Sequence, residues 1–464
     1  MEIIPTNKEQ ELDYEGNKRK VVKVYTVKPL RRCEILGDNC NEGDMFGEEE
    51  GEEIVEQGMS EEEIMEMARK QKEEFERKFG KNKEKQEELK KTYVTDRNTA
   101  HLTEKEFETL IIGDNTKHIY LSECNNLKRI KFNNNLLSLD INNCNNIEVL
   151  DLPPSLTYSK IVECSSLSTL KFNGKTKDCK IEDCPKLQNV NDFSNVEAEL
   201  ILRNCPISKV KLSSSLKRFK ISNLNISELD IKGKLSYINI SSCQYLYKLN
   251  INLDFDEDII CNVSISACPI LENITIDASL IKLYIEQLPI KEIPHVNTVK
   301  LDVIECKKLE YFNISNTTTY LQLEDLNIDR INLSHLSKLE ECFLYLDNLK
   351  DVQLPHTSSF ITFVLYSDVL KTLPLLPNSI ESLYLKCPEL TSIPNIPDSL
   401  RSLTCHNCKN LKSIPPLGNK VKFVCEGQCH PYLKNLEAYH KARYIEGVRV
   451  EKGGQILNIR RADE

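Results

Sequence analysis

The absences in this 464-residue sequence narrow its chemistry first. There is no Trp and only 8 His, and the histidines are scattered at His101, His118, His295, His335, His356, His406, His430 and His440. No G-x-S-x-G elbow, phosphate loop, dinucleotide fingerprint or H-E-x-x-H occurs. No catalytic constellation stands out, so the expectation is a non-enzyme that needs no cofactor. No apolar run is long enough to span a bilayer, and the opening "MEIIPTNKEQELDY" lacks the apolar core of a secretory signal. A protein of the cytoplasm with no membrane partner is therefore expected. The formal net charge of −10 argues against a general nucleic-acid binder, because such binding rests on neutralising phosphates.

Cysteine, by contrast, is plentiful, with 18 residues. In a long chain with no secretory signal these read as reduced thiols rather than a disulfide framework. Scattered Asn-x-Ser/Thr triplets, such as Asn225 and Asn313, read as chance matches in an Asn-rich chain.

The strongest positive signal is repetition. "LLSLDINNCNNIEVLDLPPSL", Leu136 to Leu156, recurs about every 20 residues, as in "LKRFKISNLNISELDIKGKL" and "IESLYLKCPELTSIPNIPDSL". Cys124, Cys144, Cys164 and Cys184 are evenly spaced, and Cys205, Leu224 and Cys243 continue the series with one-residue drift. Roughly fifteen copies fit between about residue 116 and residue 430. The L-x-L step followed by a break predicts one short strand and a turn per copy. One such coil cannot bury its apolar side alone, so the copies must stack on a shared core with their strands in a parallel sheet. About 20 residues per coil leave little room for an outer helix, and prolines in "LPPS", "LPHT" and "IPDS" favour an extended or turn-like convex side.

The pattern L-x-x-L-x-L-x-x-C/N-x-L resembles that of leucine-rich repeat proteins, with short copies similar to those of bacterial effectors, protists and large DNA viruses. The resemblance covers about two thirds of the chain. It implies a repeat solenoid: a leucine-rich repeat arc with a parallel concave β-sheet, an extended or turn-like convex side and small helical caps. It also implies that the ninth residue of each copy turns inward after the strand and bonds to neighbouring backbone.

Cys124, Cys144, Cys164, Cys184, Cys205, Cys243, Cys268, Cys306 and Cys408 hold that ninth place. Leu224, Leu288 and Leu326 fill it in other copies, and Asp347 and Asp368 are assigned to it in two more. A site that accepts Cys or Leu is a packing site, so a structural cysteine ladder is expected. The competing reading is zinc held by Cys405, Cys408, Cys425 and Cys429, one coil apart. The repeat itself generates that spacing, so no metal is the favoured expectation.

Alternation turns the fifth and seventh residues of each copy outward, onto the expected concave face. Early copies place Lys160, Lys180, Arg203 and Lys220 there, a basic lean that could steer an acidic partner. Later copies place Tyr284, Phe343, Tyr345, Val364, Tyr366, Tyr384, Lys386 and His406 there. Grouped exposed aromatics on a rigid sheet suit the centre of a protein interface; the bland alternative is that they merely cover the sheet.

The flanks divide into a strand and acidic flexible segment over 1–58, a charged amphipathic helix over 59–95 and an N-terminal cap over 96–115. "LTEKEFETL" in that cap reads as a helix with Thr103 as N-cap and Glu106 completing a capping box. After the repeats of 116–430, residues 431–464 read as a C-terminal cap of one helix and a hairpin. The leading functional expectation is a non-enzymatic module binding a protein of unknown identity on the concave face. The alternatives are a substrate-recognition subunit or effector linked to ubiquitin ligation, and a structural component of a viral or cellular assembly. The effectors with similar repeats carry a catalytic domain after the array, whereas only about 35 residues follow the last coil here, too few for an ordinary domain.

Overall fold

The computed structural model describes residues 91–190, 193–254, 261–418, 420–444, 450–452 and 455–457. The expectations for 1–58 and for a helix over 59–95 lie outside these residues, apart from the last five, of which Thr92–Thr95 form a strand.

The chain is a parallel β-solenoid. Seventeen strands, from Thr99–Thr103 to Lys422–Glu426, form one continuous ladder in sequence order. Each pairs parallel with the next, as Ser138–Asn142 does with Tyr158–Val162 and Glu341–Tyr345 with Thr362–Tyr366. Among the described residues the first strand pairs only with His118–Ser122 and the last only with Ser402–His406, so the ladder is open at both ends.

A second β face corrects the expected leucine-rich repeat arc. Thr92–Thr95, Thr109–Ile112 and Arg129–Lys131 pair in parallel on the return side of the coils. So do Val149–Leu152 with Thr169–Phe172, Glu228–Gly233 with Lys248–Leu253, and Arg330–Asn332 with Asp351–Gln353. The repeat contains two L-x-L steps, Leu139–Ile141 and Leu150–Leu152 in the quoted copy, and each makes a strand. The convex side thus carries short parallel sheets where an extended or turn-like run without pairing was expected, and the fold is a solenoid with strands on two faces rather than a leucine-rich repeat horseshoe.

Between the faces lies a dry core. In the copy from Leu136, the residues Leu136, Leu139, Ile141, Cys144, Ile147, Leu150, Leu152 and Leu156 are all buried. Full burial of one such Leu or Ile contributes roughly 1.5–3 kcal/mol, so each coil is held mainly by its neighbours' apolar side chains. The Ser of the "P-x-S-L" corner has its own task. Ser155, Ser379 and Ser399 donate Oγ–H to the Leu136, Phe360 and Ile380 carbonyls of the preceding coil at 2.7, 2.7 and 2.6 Å.

The inward turn after most ladder strands depends on one backbone conformation. Glu123, Asn143, Glu163, Asp183, Asn204, Ser242, Ala267 and Glu305 all have φ between 50° and 55°, and each directly precedes a ladder cysteine. This left-handed residue swings the next side chain into the core, and its own N–H extends the sheet, as Glu163 N does to Glu182 O at 3.1 Å. Among non-glycine residues Asp and Asn tolerate that region best, and here they also ladder: Asn204 donates to Asp183 at 2.6 Å and Asn223 to Asn204 at 3.1 Å.

Three later coils omit the left-handed residue, which corrects the assignment of Asp347 and Asp368 to the inward row. Both are exposed, while Leu346, Ser367 and Cys387 are buried one place earlier. With one residue fewer at the corner, the inward residue itself supplies the sheet N–H, as Leu346 does to Tyr366 O at 2.9 Å.

The ends differ from each other, and the expectation of helical caps is corrected. At the N-terminal end there is no cap helix over "LTEKEFETL": Thr103 closes a strand, Thr109–Ile112 is another, and Phe107 and Leu110 are buried as part of a full coil. The one helix among the described residues, Pro431–Tyr444, lies at the C-terminal end. Pro431 suits a first helical turn, and His430 caps it by accepting the Tyr432 N–H at Nδ1, 3.2 Å away. Leu433 and His440 are buried and Leu436 packs on the core, with the His440 ring edge-on to Phe423. Val450–Lys452 and Gln455–Leu457 form an antiparallel hairpin. No helix among the described residues is long and apolar enough to cross a membrane.

Candidate partner-binding face

Outward residues of the long ladder form three rows. In the middle row, Tyr284, Asp302, Gln322, Phe343, Val364, Tyr384 and Thr404 are successive cross-strand neighbours. The next row runs Glu286, Ile304, Glu324, Tyr345, Tyr366 and Lys386. Strand alternation puts these side chains opposite the core, and the ladder spaces them about 4.8 Å apart.

Five of the sequence-derived residues form a continuous aromatic and apolar block. Tyr345 and Tyr366 meet edge-on at 4.7 Å between centroids, and Tyr366 and Tyr384 tilt together at 5.4 Å. Val364 lies between Phe343 and Tyr384 in the middle row. The Lys386 ammonium stands over Tyr366, 5.0 Å from the ring centre, and His406 stacks on Tyr384 at 6.5 Å. All of these side chains are half-buried. Each ring pair adds about 0.5–1.5 kcal/mol beyond its buried area, which fixes the rings before anything binds.

Tyr284 stands apart, three strands from Phe343 with Asp302 and Gln322 between them. Burial and a hydrogen bond to Glu286 push its hydroxyl up to about 12. Tyr320, not among the expected residues, joins the block with its ring 5.2 Å from Phe343. It occupies the third outward row, so the same alternation that exposes positions five and seven would have found it.

The cations of the early coils are internally balanced. Lys160 pairs with Asp140 at 3.1 Å, and Lys180 and Arg203 pair with Glu182 at 2.9 and 3.4 Å. Arg218 and Lys220 converge on Glu199 at 3.2 and 3.7 Å. The face there carries both signs in alternation.

The cysteines point away from this face. All nine of the ninth-position thiols are buried, and each lies 3.1–3.6 Å from the carbonyl oxygen two residues back, a weak S–H donation that closes the corner. Burial pushes the Cys306 thiol up to about 11 and those of Cys179 and Cys261 to about 12, which opposes thiolate formation at these three. Cys405 and Cys408 face the core, and Cys429 Sγ donates to Cys405 O at 3.3 Å. Cys425 stands opposite Cys405 in the inward row and is half-buried, on the last ladder strand among the described residues. Among the described residues no three His, Cys, Asp or Glu group so as to hold a metal ion.

No family model matches the chain, and no curated protein matches it. Among solved structures it is similar to a leucine-rich repeat protein from Bacteroides ovatus, at 12% identity over 70% of this chain and 87% of that one, with a TM-score of 0.35. It is also similar to YopM from Yersinia enterocolitica, at 15% identity over 76% of this chain and 98% of that one, with a TM-score of 0.23. At that level of superposition neither likeness bears on what this chain binds.

Proposed function

We propose that the chain is a non-enzymatic protein-binding module whose partner lies against the long-ladder face, centred on Phe343, Tyr345, Val364, Tyr366 and Tyr384. A repeat solenoid is in general consistent with an interaction scaffold, since stacked coils hold a long row of side chains in fixed register. The observation that carries the reading is the block of half-buried rings on consecutive strands. Such rings offer large contact area at little ordering cost, and grouped aromatic residues are what the centres of protein interfaces are built from.

A photo-crosslinking side chain in place of Val364, with one in place of Val149 on the opposite face as control, tests this in cells that make the protein. A discrete protein adduct is expected from position 364 and not from 149, and it should vanish when Tyr345→Ser and Tyr366→Ser are added. Equal adducts from both positions, or none from either, would sink the reading.

A further inference from the structure

Carboxylates on the long-ladder face follow a rule. Asp140, Glu182 and Glu199 each meet a Lys or Arg from the same or an adjacent strand. Asp302 meets Lys282 at 2.6 Å. Glu286, Glu324 and the exposed Glu341 break the rule, and the first two share a cross-strand neighbour. That neighbour is Ile304, and Glu324 has Tyr345 on its other side. The hydrogen-bond donors to these two are neutral: Gln322 Nε2 to Glu324 Oε2 at 3.0 Å, and the Tyr284 hydroxyl to Glu286. Among the described residues no Lys or Arg forms an ion pair with Glu286 or Glu324.

The arrangement is specific. Two half-exposed carboxylates flank one half-exposed aliphatic side chain, two strand spacings or about 10 Å apart. Glu324 is held in place by a relay along its own strand, since Tyr320 Oη–H donates to Gln322 Oε1 at 3.0 Å and Gln322 donates onward. Beside Ile304, Asp302 is 4% exposed, and its Oδ1 has no hydrogen-bond partner among the described residues. The aromatic block begins at the next residue in the row, Tyr345.

We infer that the partner presents a basic side chain, lysine or arginine, across Ile304 between Glu286 and Glu324, with its neighbouring apolar residues on the Tyr345–Tyr366 rings. This deepens the protein-binding reading and rests on it. A long basic side chain lays its methylenes on an aliphatic surface and keeps its charged head among carboxylates. The flanking ring adds a cation–π contact. A phosphate-bearing ligand would meet two like charges here. A glycan would need flat open ring faces, whereas Tyr345 and Tyr366 are perpendicular and half-buried.

The probe is a displayed random-peptide library panned on the full chain, with the Tyr345→Ser/Tyr366→Ser protein as counter-selection. Enriched peptides should carry Lys or Arg next to apolar residues. Their affinity should fall about tenfold at low salt for the Glu286→Gln/Glu324→Gln protein, the scale of a lost charge-assisted bond, and the loss should shrink at high salt. Thermal unfolding of the Gln variant confirms that it is folded. Ring-dependent peptides with no basic enrichment, or with equal affinity for the Gln variant, overturn this inference and leave the protein-binding reading standing. Failure to enrich any ring-dependent peptide, or ring-dependent binding on a glycan array alone, overturns both.

Discussion

The rings of Tyr345 and Tyr366 stand edge to face, 4.7 Å between centroids with their planes 86° apart, on adjacent strands of one rigid ladder. Both point outward, while Phe363, on the same strand as Tyr366, points inward and is fully buried. The two faces of one strand therefore separate binding from folding. Phe363→Ala should cost about 3–5 kcal/mol, a buried ring lost into a cavity. Tyr366→Ala should cost about 1 kcal/mol, the ring pair and some covered surface. Urea unfolding of both variants checks this. Comparable losses would mean that the outward rings are part of the core, and the face would lose its claim as an interface.

Much of this could be read in the sequence because a 20-residue period fixes equivalence. The inward row, the parallel ladder and the outward placement of Phe343, Tyr345, Val364, Tyr366 and Tyr384 all follow from alternation around one repeated corner. Pairing on the return side is hidden in the sequence for a physical reason. Leu150–Asp151–Leu152 is as good an alternating step as Leu139–Asp140–Ile141, but next to Pro153 it reads as a turn until the neighbouring coils pair with it. The Asp347 assignment failed because the loss of one left-handed residue leaves no mark in composition. The same charge alternation that signals a basic lean hides the ion pairs, since register alone decides that Arg203 reaches Glu182.

The left-handed corner at Glu163 makes a stabilising substitution available. Glu163 has φ 54° and an exposed side chain. An L-residue there carries a steric cost of roughly 1–2 kcal/mol that glycine lacks, offset in part by glycine's greater chain entropy. Glu163→Gly should therefore raise stability by about 0.5–1 kcal/mol, and Glu163→Val should lower it. The ordering Gly above Glu above Val in denaturant midpoint is the check; a Gly variant less stable than Val would contradict the corner geometry.

Buried thiols give the fold an alkaline limit. Burial raises the folded-state values of Cys306 from 9.0 to about 11 and of Cys179 and Cys261 to about 12. The unfolded chain releases those protons first, so the stabilisation is complete below about pH 9 and is lost as pH climbs toward the folded values. Each such thiol should lower stability by about 1.4 kcal/mol per pH unit across that window. Urea midpoints measured from about pH 8 to about pH 11 should fall less steeply for Cys306→Ala than for the parent. Parallel curves would show that Cys306 is solvated.

Lys282 is the only cation paired with Asp302 among the described residues, at 2.6 Å, and the Asp302 side chain is almost wholly enclosed. Lys282→Met should leave that carboxylate buried and uncompensated, costing about 1–3 kcal/mol. Asp302→Asn in the same background should restore more than half of the loss, because a neutral amide needs no counter-charge. The four proteins of this double-mutant cycle, compared by urea unfolding, isolate the pair. A coupling of about 1 kcal/mol or more is expected for groups in direct contact. Simple additivity would mean that solvent reaches Asp302, so that the surface beside Ile304 is wet.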